Sequence, residues 1–592
     1  MSLINIKIEG IPYQVEDGIT VLEAARRCGY EIPTLCHFNH GECSLASCRV
    51  CLVQVNTSPS LVASCIYPIA DGMEISISSP IAVEARRTAV ELIFSNHDQD
   101  CAQCDKNEKC ELLHVAKIVG VQEGHYAGSK SPATIDRLNP SIVRNTAKCI
   151  LCGRCVARCS QAHGKGILGF ENRGFNTIVA PAENRNLSDS PCILCGQCVS
   201  VCPTGALMEK LEILDIDNAM RAGKYVVVQT APAVRAALGE EFGYKVGTDV
   251  TGKMVAALKR LGYKKVFDTN YGADMTIMEE ANELIERITT GGTLPMITSC
   301  SPGWVNYAEY YYSDLLPHLS SCKSPHEMQG ALLKHYYAPK IGIKPEDMFV
   351  VSVMPCTAKK FEKDRKQLRT RGLKDVDAVI TTRELAKMIK RAGINFSRLS
   401  DENFDMDVIG ENTGAAVLFG VTGGVMEAAV RTAAYRLTKH ELDGIVFEPV
   451  RGLEGLKEGA LEVNGKTVKV AVASGMKNAR ILLDDIRAGK SEYTFIEIMG
   501  CPGGCINGGG QPYVRHCFLP DEDIDIVDTY REKRAAVLYA KDAACFPRQS
   551  HNNMQIQQLY KEFLGQPGSE MAHELLHTSY KGRVPFNKVD RK

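Results

Sequence analysis

The sequence predicts an α+β multidomain protein, in which small cysteine-rich domains precede a two-lobed α/β domain. Most of the 24 cysteines stand at short, repeated spacings before residue 211. Beyond that point cysteines become sparse, and apolar strand-like runs alternate with helical segments. A length of 592 residues is typical of about four domains.

Bulk composition excludes several classes of function. The net charge is -1, which gives no reason to expect a nucleic acid or a membrane surface as partner. No stretch approaches the length of a membrane-spanning helix, and Met1–Gly10 lacks the apolar core of a signal peptide. Cysteine-rich secreted proteins are usually short, whereas this chain is long and spaces its cysteines as metal ligands. We therefore expect a globular protein of the reducing cytoplasm.

Residues 1–80 are predicted to form a first, strand-rich domain. Ile4, Ile6 and Ile8 alternate with polar residues, which is typical of a half-buried strand at a sheet edge. A cysteine set follows with the spacing C-x11-C-x2-C-x13-C, which differs from the plant-type ferredoxin spacing. A zinc site is the alternative to an iron–sulfur cluster, since C-x2-C is also half of a zinc motif. The predicted ligands are Cys36, Cys48, Cys51 and Cys65.

Residues 81–138 are predicted to hold a second cluster with mixed ligands, spaced H-x3-C-x2-C-x5-C. Three thiolates and one imidazole can hold a [4Fe–4S] cluster, and a histidine ligand alters its potential by changing the net charge. A lone histidine is more often structural, but this one stands beside an unbroken ligand spacing. The predicted ligands are His97, Cys101, Cys104 and Cys110.

Residues 139–210 carry two C-x2-C-x2-C-x3-C runs in tandem. Such a pair is the signature of a two-cluster ferredoxin domain, in which the fourth cysteine of each run ligates the other cluster. One cluster is then expected to take Cys149, Cys152, Cys155 and Cys202. The other is expected to take Cys192, Cys195, Cys198 and Cys159. Together these domains predict a wire of clusters that carries electrons.

Residues 211–592 are predicted to form the two-lobed α/β domain. Tyr225–Val228 has the apolar run of a buried strand, and Pro232 just after it is typical of a helix start. Similar strand-then-helix units recur along this half, which indicates two α/β lobes that face each other. The further predicted strands are Met348–Val353, Val379–Thr382 and Val468–Ala473, and a helix is predicted over Arg383–Ala392.

Three cysteine-bearing segments of this half fall in loops or at predicted strand ends: Thr298–Trp304, Met354–Glu362 and Glu497–Gly510. Loop cysteines gathered from distant segments suit a buried metal site, and neighbouring glycines let the backbone approach a cluster closely. The glycine-rich run Gly420–Val425 lacks the P-loop lysine and the dinucleotide fingerprint, so no flavin or nucleotide site is predicted in this chain. Other cysteines fit no ligand spacing and are predicted to be structural thiols: Cys28, Cys43, Cys322, Cys517 and Cys545.

These three segments closely resemble the signature motifs of [FeFe]-hydrogenases, and the front half resembles the accessory wire of long members of that family. The spacings within residues 36–110 also resemble those of complex I's large iron–sulfur subunit. The resemblance implies a β-grasp [2Fe–2S] domain, a small His/Cys [4Fe–4S] domain, a two-[4Fe–4S] ferredoxin domain, and an H-cluster domain with a fused small-subunit-like tail. The H-cluster would be a [4Fe–4S] cube joined through one cysteine sulfur to a two-iron unit with CO, cyanide and a dithiolate bridge.

The resemblance also implies roles for single residues in the second half. Cys356, Cys501 and Cys505 would ligate the cube, and Cys505 would bridge to the two-iron unit. Lys359 would donate a hydrogen bond to a cyanide. The residues expected around the two-iron unit are Met354, Met499, Ala231 and Pro232.

The first motif departs from the family pattern, which usually has two adjacent cysteines. The first of them relays protons and the second is the fourth ligand of the cube, but here the pair is Cys300-Ser301. Strict alignment makes Cys300 the relay and places Ser301 in the ligand position. A serine hydroxyl is a poor, hard ligand for iron among thiolates, although it can pass a proton. Cys300 is therefore expected as a ligand, with its role as relay left open.

A proton path is implied by the same resemblance, through Glu280, Glu283, Ser320 and Cys300. Glu280 and Glu283 lie three positions apart on a predicted helix, so they share a face. Two such acids are usually just solvated, and it is the resemblance that favours a path. Arg287, one turn beyond Glu283, is expected to orient its outer end.

The expected function is that of an iron-only hydrogenase, which interconverts H2 with two protons and two electrons. Its cofactors would be the H-cluster, one [2Fe–2S] cluster and three accessory [4Fe–4S] clusters. Ferredoxin is one expected partner; the domain layout also resembles catalytic subunits of multimeric NAD(P)-linked hydrogenases, whose flavin and nucleotide sites would lie on other subunits. Two alternatives stay open: a sensory homologue that binds H2, and a complex I-type electron-transfer subunit.

Overall fold

The computed structural model describes residues 2–38, 42–122, 126–442, 448–450, 455–463, 466–514 and 526–584; Cys517 lies outside these ranges. The first domain is a mixed five-stranded sheet with the helix Val21–Arg27 packed on it. That helix begins at a capping box, because Thr20 Oγ accepts from the Glu23 amide while the Glu23 carboxylate accepts from the Thr20 amide. The strands, in sheet order, are Ile11–Glu16, Leu3–Ile8, Met73–Ser76, Leu52–Val55 and Val62–Ala63.

The N-terminal strand Leu3–Ile8 is inside this sheet, so its predicted place at an edge is wrong. It pairs antiparallel with Ile11–Glu16 on one side and parallel with Met73–Ser76 on the other. The alternation of Ile4, Ile6 and Ile8 indicates which face of the strand is buried, but it carries no information on the position of the strand in the sheet. Burial is strongest at Ile6 and Ile8.

Two small cluster-bearing segments follow the first domain. The helices Pro80–Asn96 and Glu111–Ile118 enclose the loop of residues 97–110. In the tandem segment the helices Arg154–His163 and Gln197–Val201 pack together, and each begins after a glycine in the left-handed conformation, Gly153 (φ +77°) and Gly196 (φ +70°). Short strands complete this segment: Ile135–Asp136, Ile142–Asn145, Gly169–Glu171, Ile178–Ala180 and Leu207–Glu209.

The second half contains two large sheets, and the helices packed on each of them form a separate buried core. A two-stranded sheet of Arg369–Thr370 and Leu373–Lys374 adds to them. The first sheet is parallel, in the order Lys265–Asp268, Tyr225–Thr230, Met348–Met354 and Ala378–Thr381. The second is mixed, in the order Met296–Ile297, Phe495–Met499, Lys466–Ser474, Leu456–Val463 and Glu448–Pro449. The strands predicted at residues 225, 348, 379 and 468 are therefore confirmed, and the two-lobed α/β architecture with them.

Helices cover both sheets, and the longest, Asn270–Thr290, carries the acidic residues of the predicted proton path. The other main helices of this half are Ile213–Arg221, Thr251–Arg260, Pro302–Tyr311, Pro325–Leu332, Thr382–Arg391, Gly424–Thr438 and Met476–Arg487. The tail adds Ile526–Ala544, Met554–Leu559 and Glu570–Leu576, and its apolar residues join the core of the parallel sheet. Among the described residues, no helix combines the length and the apolar character needed to cross a membrane.

A buried arginine joins the tandem segment to the second half. The Arg383 guanidinium donates to both carboxylate oxygens of Glu209, each at 2.9 Å, and to the carbonyls of Gly509 (2.7 Å) and Gln511 (2.5 Å). Arg383 is 4% exposed and Glu209 3% exposed, so the pair is out of contact with water.

Arg383→Ala is expected to lower the free energy of unfolding by about 3–5 kcal/mol, because it leaves the Glu209 charge buried without a partner. The loss should appear as a lower midpoint of chemical unfolding. Arg371→Ala is the control: its pair with Glu574 is over 40% exposed on both sides, so it should cost at most about 1 kcal/mol. Equal losses in the two variants would contradict the linking role of Arg383.

Candidate active site

A cavity lies between the two lobes. Its walls come from the ends of strands in both sheets and from the loops after them, as is usual for sites in parallel α/β sheets. All residues that the sequence predicted around the catalytic centre line it. They are Ala231, Pro232, Cys300, Ser301, Met354, Cys356, Lys359, Met499, Cys501 and Cys505.

The three cysteines predicted to hold the cube face each other across this cavity. Burial raises the pKa of the Cys505 thiol to about 12, and the Cys356 thiol adds to that rise. Burial also raises the pKa of Cys501 well above its usual value, and Cys356 and Cys505 act in the same direction. Such a set ionises readily only when cations share the site, so its chemistry fits an iron–sulfur cluster.

The glycines of the third motif let its loop fold this tightly. Gly504 has φ +97°, and a Cβ there would lie 2.8 Å from the Thr422 amide nitrogen. A Cβ on Gly508 would lie 2.2 Å from the Pro355 carbonyl oxygen, which belongs to the second motif. The two motifs therefore meet because these positions lack side chains, as the glycine-rich sequence predicted.

Lys359 places a cation in the cavity wall. Its Nζ donates to Ser324 Oγ at 3.1 Å and to the Glu362 carboxylate at 2.9 Å. Burial lowers the pKa of Lys359, but the Glu362 carboxylate and the Cys356 thiol outweigh burial and hold it above its usual value. A charged ammonium is thus available to an acceptor in the cavity, as the predicted role of Lys359 requires.

The Cys300-Ser301 pair divides between two parts of the cavity. Ser301 Oγ accepts from the Gly500 amide at 3.1 Å, next to Cys501. Burial raises the pKa of Cys300 far above its usual value, and the groups that add most to the rise are Glu280, Glu497 and Cys505. The Cys300 thiol therefore lies within electrostatic reach of two acidic residues and of Cys505, and its role as ligand or relay stays a prediction.

The predicted proton path is continuous in its outer part. Ser320 Oγ donates to Glu283 Oε2 at 3.0 Å, and Arg287 pairs with Glu283 Oε1 at 2.6 Å. Glu280, only 1% exposed, lies beside Ser320, and its Oε2 has no hydrogen-bond partner among the described residues. Burial and the neighbouring Glu283 charge raise the pKa of Glu280 to about 8. Cys300 lines the cavity, and Glu280 is near enough to raise the pKa of its thiol.

The tandem cysteines lie in two groups, each of which contains members of both runs. Cys149, Cys152, Cys155 and Cys202 line one cavity. In the other set, the Cys159 thiol adds to the raised pKa values of Cys192, Cys195 and Cys198, so it lies beside them. The Cys356 thiol also adds to the raised pKa of Cys195, so this second set lies next to the catalytic cavity.

The tandem segment contacts the catalytic motifs through backbone. Thr357 Oγ1 donates to the Leu194 carbonyl at 2.7 Å, and Gln197 Nε2 donates to the Asn507 carbonyl at 2.8 Å. A Cβ on Gly509 would lie 2.2 Å from the Cys195 carbonyl oxygen. This close packing gives electrons a short way from the wire into the cavity.

The four cysteines predicted for the first front site lie together, and the residues predicted for the second share one loop. Hydrogen bonds from the Cys48 and Cys65 thiols lower the pKa of Cys36, and a hydrogen bond from Cys65 holds that of Cys51 near 7, so the four sulfurs are in contact. His97 is buried, and its Nδ1 has no hydrogen-bond partner among the described residues. Burial lowers the pKa of His97 to about 4, so its ring is neutral and fits a metal ligand. A Cβ on Gly205 would lie 2.7 Å from Cys104 Sγ, beside the tandem segment.

The sequence missed several buried polar residues near the cavity. Glu497 accepts from the amides of Gly423 (2.7 Å) and Met426 (2.8 Å), and burial raises its pKa to about 7. The glycine-rich turn thus binds this carboxylate. His326 lines the cavity and lies 2.8 Å from Glu362 Oε2 through its Nε2. A single acid inside the apolar strand Phe495–Met499 was the available signal for Glu497.

Sequence comparison finds known families along the chain. Residues 224–509 match the profile described as "Iron only hydrogenase large subunit, C-terminal domain", and residues 528–583 match "Iron hydrogenase small subunit". Residues 2–80 match a 2Fe-2S iron-sulfur cluster binding domain. Residues 86–125 match the NADH-ubiquinone oxidoreductase-G iron-sulfur binding region, and residues 139–206 match a 4Fe-4S dicluster domain.

Full-length relatives and solved structures agree with these profiles. The chain is 47% identical to the NADP-reducing hydrogenase subunit HndD of Solidesulfovibrio fructosivorans, over 98% of this chain and 99% of the relative. It is 42% identical to iron hydrogenase 1 of Clostridium pasteurianum, over 98% of this chain and 100% of the relative. A variant of apo [FeFe]-hydrogenase HydA1 from Chlamydomonas reinhardtii superposes with a TM-score of 0.56 at 39% identity, over 62% of this chain and 98% of that one.

Proposed function

The chain belongs to the iron-only hydrogenase large-subunit family, and on that premise we propose that it interconverts H2 with two protons and two electrons at an H-cluster in the cavity between its lobes. The observation that carries this proposal is the convergence of all three cysteine motifs on that cavity. A complex I-type electron-transfer subunit has no use for such a cavity. When bound, the two-iron unit supplies the H–H chemistry and the cube supplies electron exchange with the wire.

The chain's own residues have three tasks in this reaction. Cys356, Cys501 and Cys505 would hold the cube, with Cys505 as the bridge. Lys359 would donate to a cyanide while Met354, Met499, Ala231 and Pro232 keep water away from the two-iron unit, which would carry CO, cyanide and a dithiolate bridge. Cys300 and Glu280 would deliver one proton at a time, and Ser301 would occupy the fourth corner of the cube.

The wire would contain one [2Fe–2S] cluster and three [4Fe–4S] clusters, at the four sites assembled from Cys36 to Cys202. Electrons would pass through the tandem pair and then branch to the His97 site and the first domain. A branched wire suits more than one redox partner. Ferredoxin is one, and subunits that bind flavin and NAD(P) are another, because the relative HndD is described as part of an NADP-reducing hydrogenase. The thiolate-rich sites of this chain suit the reducing cytoplasm.

Infrared spectroscopy tests the cofactor directly. Anaerobic protein in which the two-iron unit has been installed should show absorption bands of bound CO and cyanide, and Cys505→Ala should lose them because the bridge is gone. Cys545→Ala is the matched control, since its thiol lies away from the cavity and donates to the Asn412 carbonyl. A wild-type protein without these bands would return the chain to the electron-transfer class.

A further inference from the structure

The outer carboxylate of the proton path, Glu283, has two different neighbours on its solvent side. One is Arg287, whose guanidinium pairs with Glu283 and also donates to the carbonyls of Pro317 (3.1 Å) and Leu319 (2.7 Å). An arginine stays protonated at every working pH. Arg287 therefore orients Glu283 but does not itself take up and release protons.

The other neighbour is Ser321, which begins a second hydrogen-bonded chain. Its Oγ lies 3.2 Å from Glu283 Oε2 and 2.8 Å from His577 Nδ1. His577 Nε2 in turn lies 3.1 Å from Glu279 Oε2. A hydroxyl can accept a proton on one side while it donates its own on the other. Glu283, Ser321 and His577 are thus joined by groups that can all exchange protons.

His577 connects this chain to the surface. It caps the tail helix Glu570–Leu576, and its side chain is only 6% exposed, while His573, one turn earlier, is exposed. The centroids of the two rings lie 4.1 Å apart, and the ring planes are tilted by 39°. Histidine is the side chain whose charge ordinarily changes between pH 5 and 8, which suits exchange with water.

We propose that His577 is a proton port of the hydrogenase, which exchanges protons with water beside His573 and passes them through Ser321 to Glu283. This inference rests on the proposed function. In each inward transfer the imidazolium gives a proton to Ser321 while Ser321 gives its own to Glu283. A hydronium ion or buffer acid in the water beside His573 then protonates His577 again, and Glu283 passes its proton inward, so two such cycles supply the two protons of one H2.

Several titratable and charged groups surround His577. The titratable and charged groups that face it or its carboxylate partner are Glu279, Glu283, Cys322, His573, Tyr560 and Arg436. Glu279 also accepts from the Gly568 amide at 2.8 Å, so the network holds the tail in place as well. A purely structural role is therefore the competing explanation that the test must separate.

The test measures H2 evolution from reduced methyl viologen by the full-length holoenzyme. A positioned proton-transfer group typically raises the rate of a reaction by about 10²–10⁴-fold. Because water can partly replace this remote group, we expect His577→Ala to lower the rate of H2 evolution by about tenfold. Added imidazole should restore that activity. Ser321→Ala should lower the rate of H2 evolution by a similar factor, and imidazole should not restore it, because the hydroxyl that links His577 to Glu283 is gone. His440→Ala is the control, because His440 is exposed just after the end of another helix. This variant should keep the wild-type rate of H2 evolution and should not respond to imidazole.

Two results would overturn the port. One is wild-type activity of His577→Ala across the pH range; the other is a loss that imidazole does not restore in a protein with wild-type infrared bands. If His577→Ala does not assemble its cofactor, Ser321→Ala decides, and unchanged turnover there rejects the proposal. An inactive wild-type protein would instead reject the proposed function, so the two failures are distinguishable.

Discussion

Glu280→Gln is expected to lower H2 turnover by about 10²-fold or more, because the amide cannot pass a proton between Ser320 and the cavity. Glutamine has nearly the same shape, so the fold and the cofactor should survive. Burial and the Glu283 charge raise the pKa of Glu280 to about 8. The carboxyl is thus protonated at neutral pH and can donate inward, and it ionises as the pH rises through that value.

The wild-type rate of H2 evolution should therefore fall above about pH 8, where Glu280 no longer holds a proton. The small remaining activity of Glu280→Gln should lack this alkaline decline. Glu286→Gln is the matched control, because Glu286 is exposed on the same helix. A Glu280→Gln enzyme with wild-type turnover would show that protons reach the cavity by another way.

Cys300→Ala should have a comparably large effect on turnover while leaving the cube intact. Under the relay assignment the Cys300 thiol, whose pKa Glu280 raises, is the last proton donor of the path, so its loss should cost about 10²-fold or more in turnover. Iron content and the electron paramagnetic resonance of the cube should stay as in the wild type. The measurement is turnover and cube spectrum on the same sample.

The opposite outcome is equally informative for the first motif. If Cys300 were the fourth ligand, Cys300→Ala would lose iron and change the cube spectrum, and Ser301→Ala would lower turnover as the loss of a relay. Under the relay assignment, Ser301→Ala should mainly change the cube, because Ser301 Oγ lies beside Gly500 and Cys501. The pair of variants therefore separates the two assignments.

The sequence predicted most of the site because ligand spacing is local information. Short repeats such as those from Cys149 to Cys202 state which thiols act together, and the crossed pairing followed from the repeat alone. Likewise, apolar runs such as Met348–Val353 predicted the strands that bring the motifs together.

What the sequence could not predict depends on contacts between distant segments. His577 and Glu279 are 298 residues apart, and no local pattern joins them. Glu497 required knowledge that the Gly423 and Met426 amides would meet it. The edge position expected for the N-terminal strand was wrong for the same reason, since its second neighbour, Met73–Ser76, comes from the far end of that domain.

The most direct test of the account is H2 evolution from reduced methyl viologen, measured on anaerobically purified full-length protein whose infrared bands show an assembled two-iron unit. The account predicts rapid turnover that Glu280→Gln and Cys300→Ala lose and that Glu286→Gln keeps. No turnover by a wild-type protein with those bands would contradict it and would favour a sensory homologue that binds H2 without converting it.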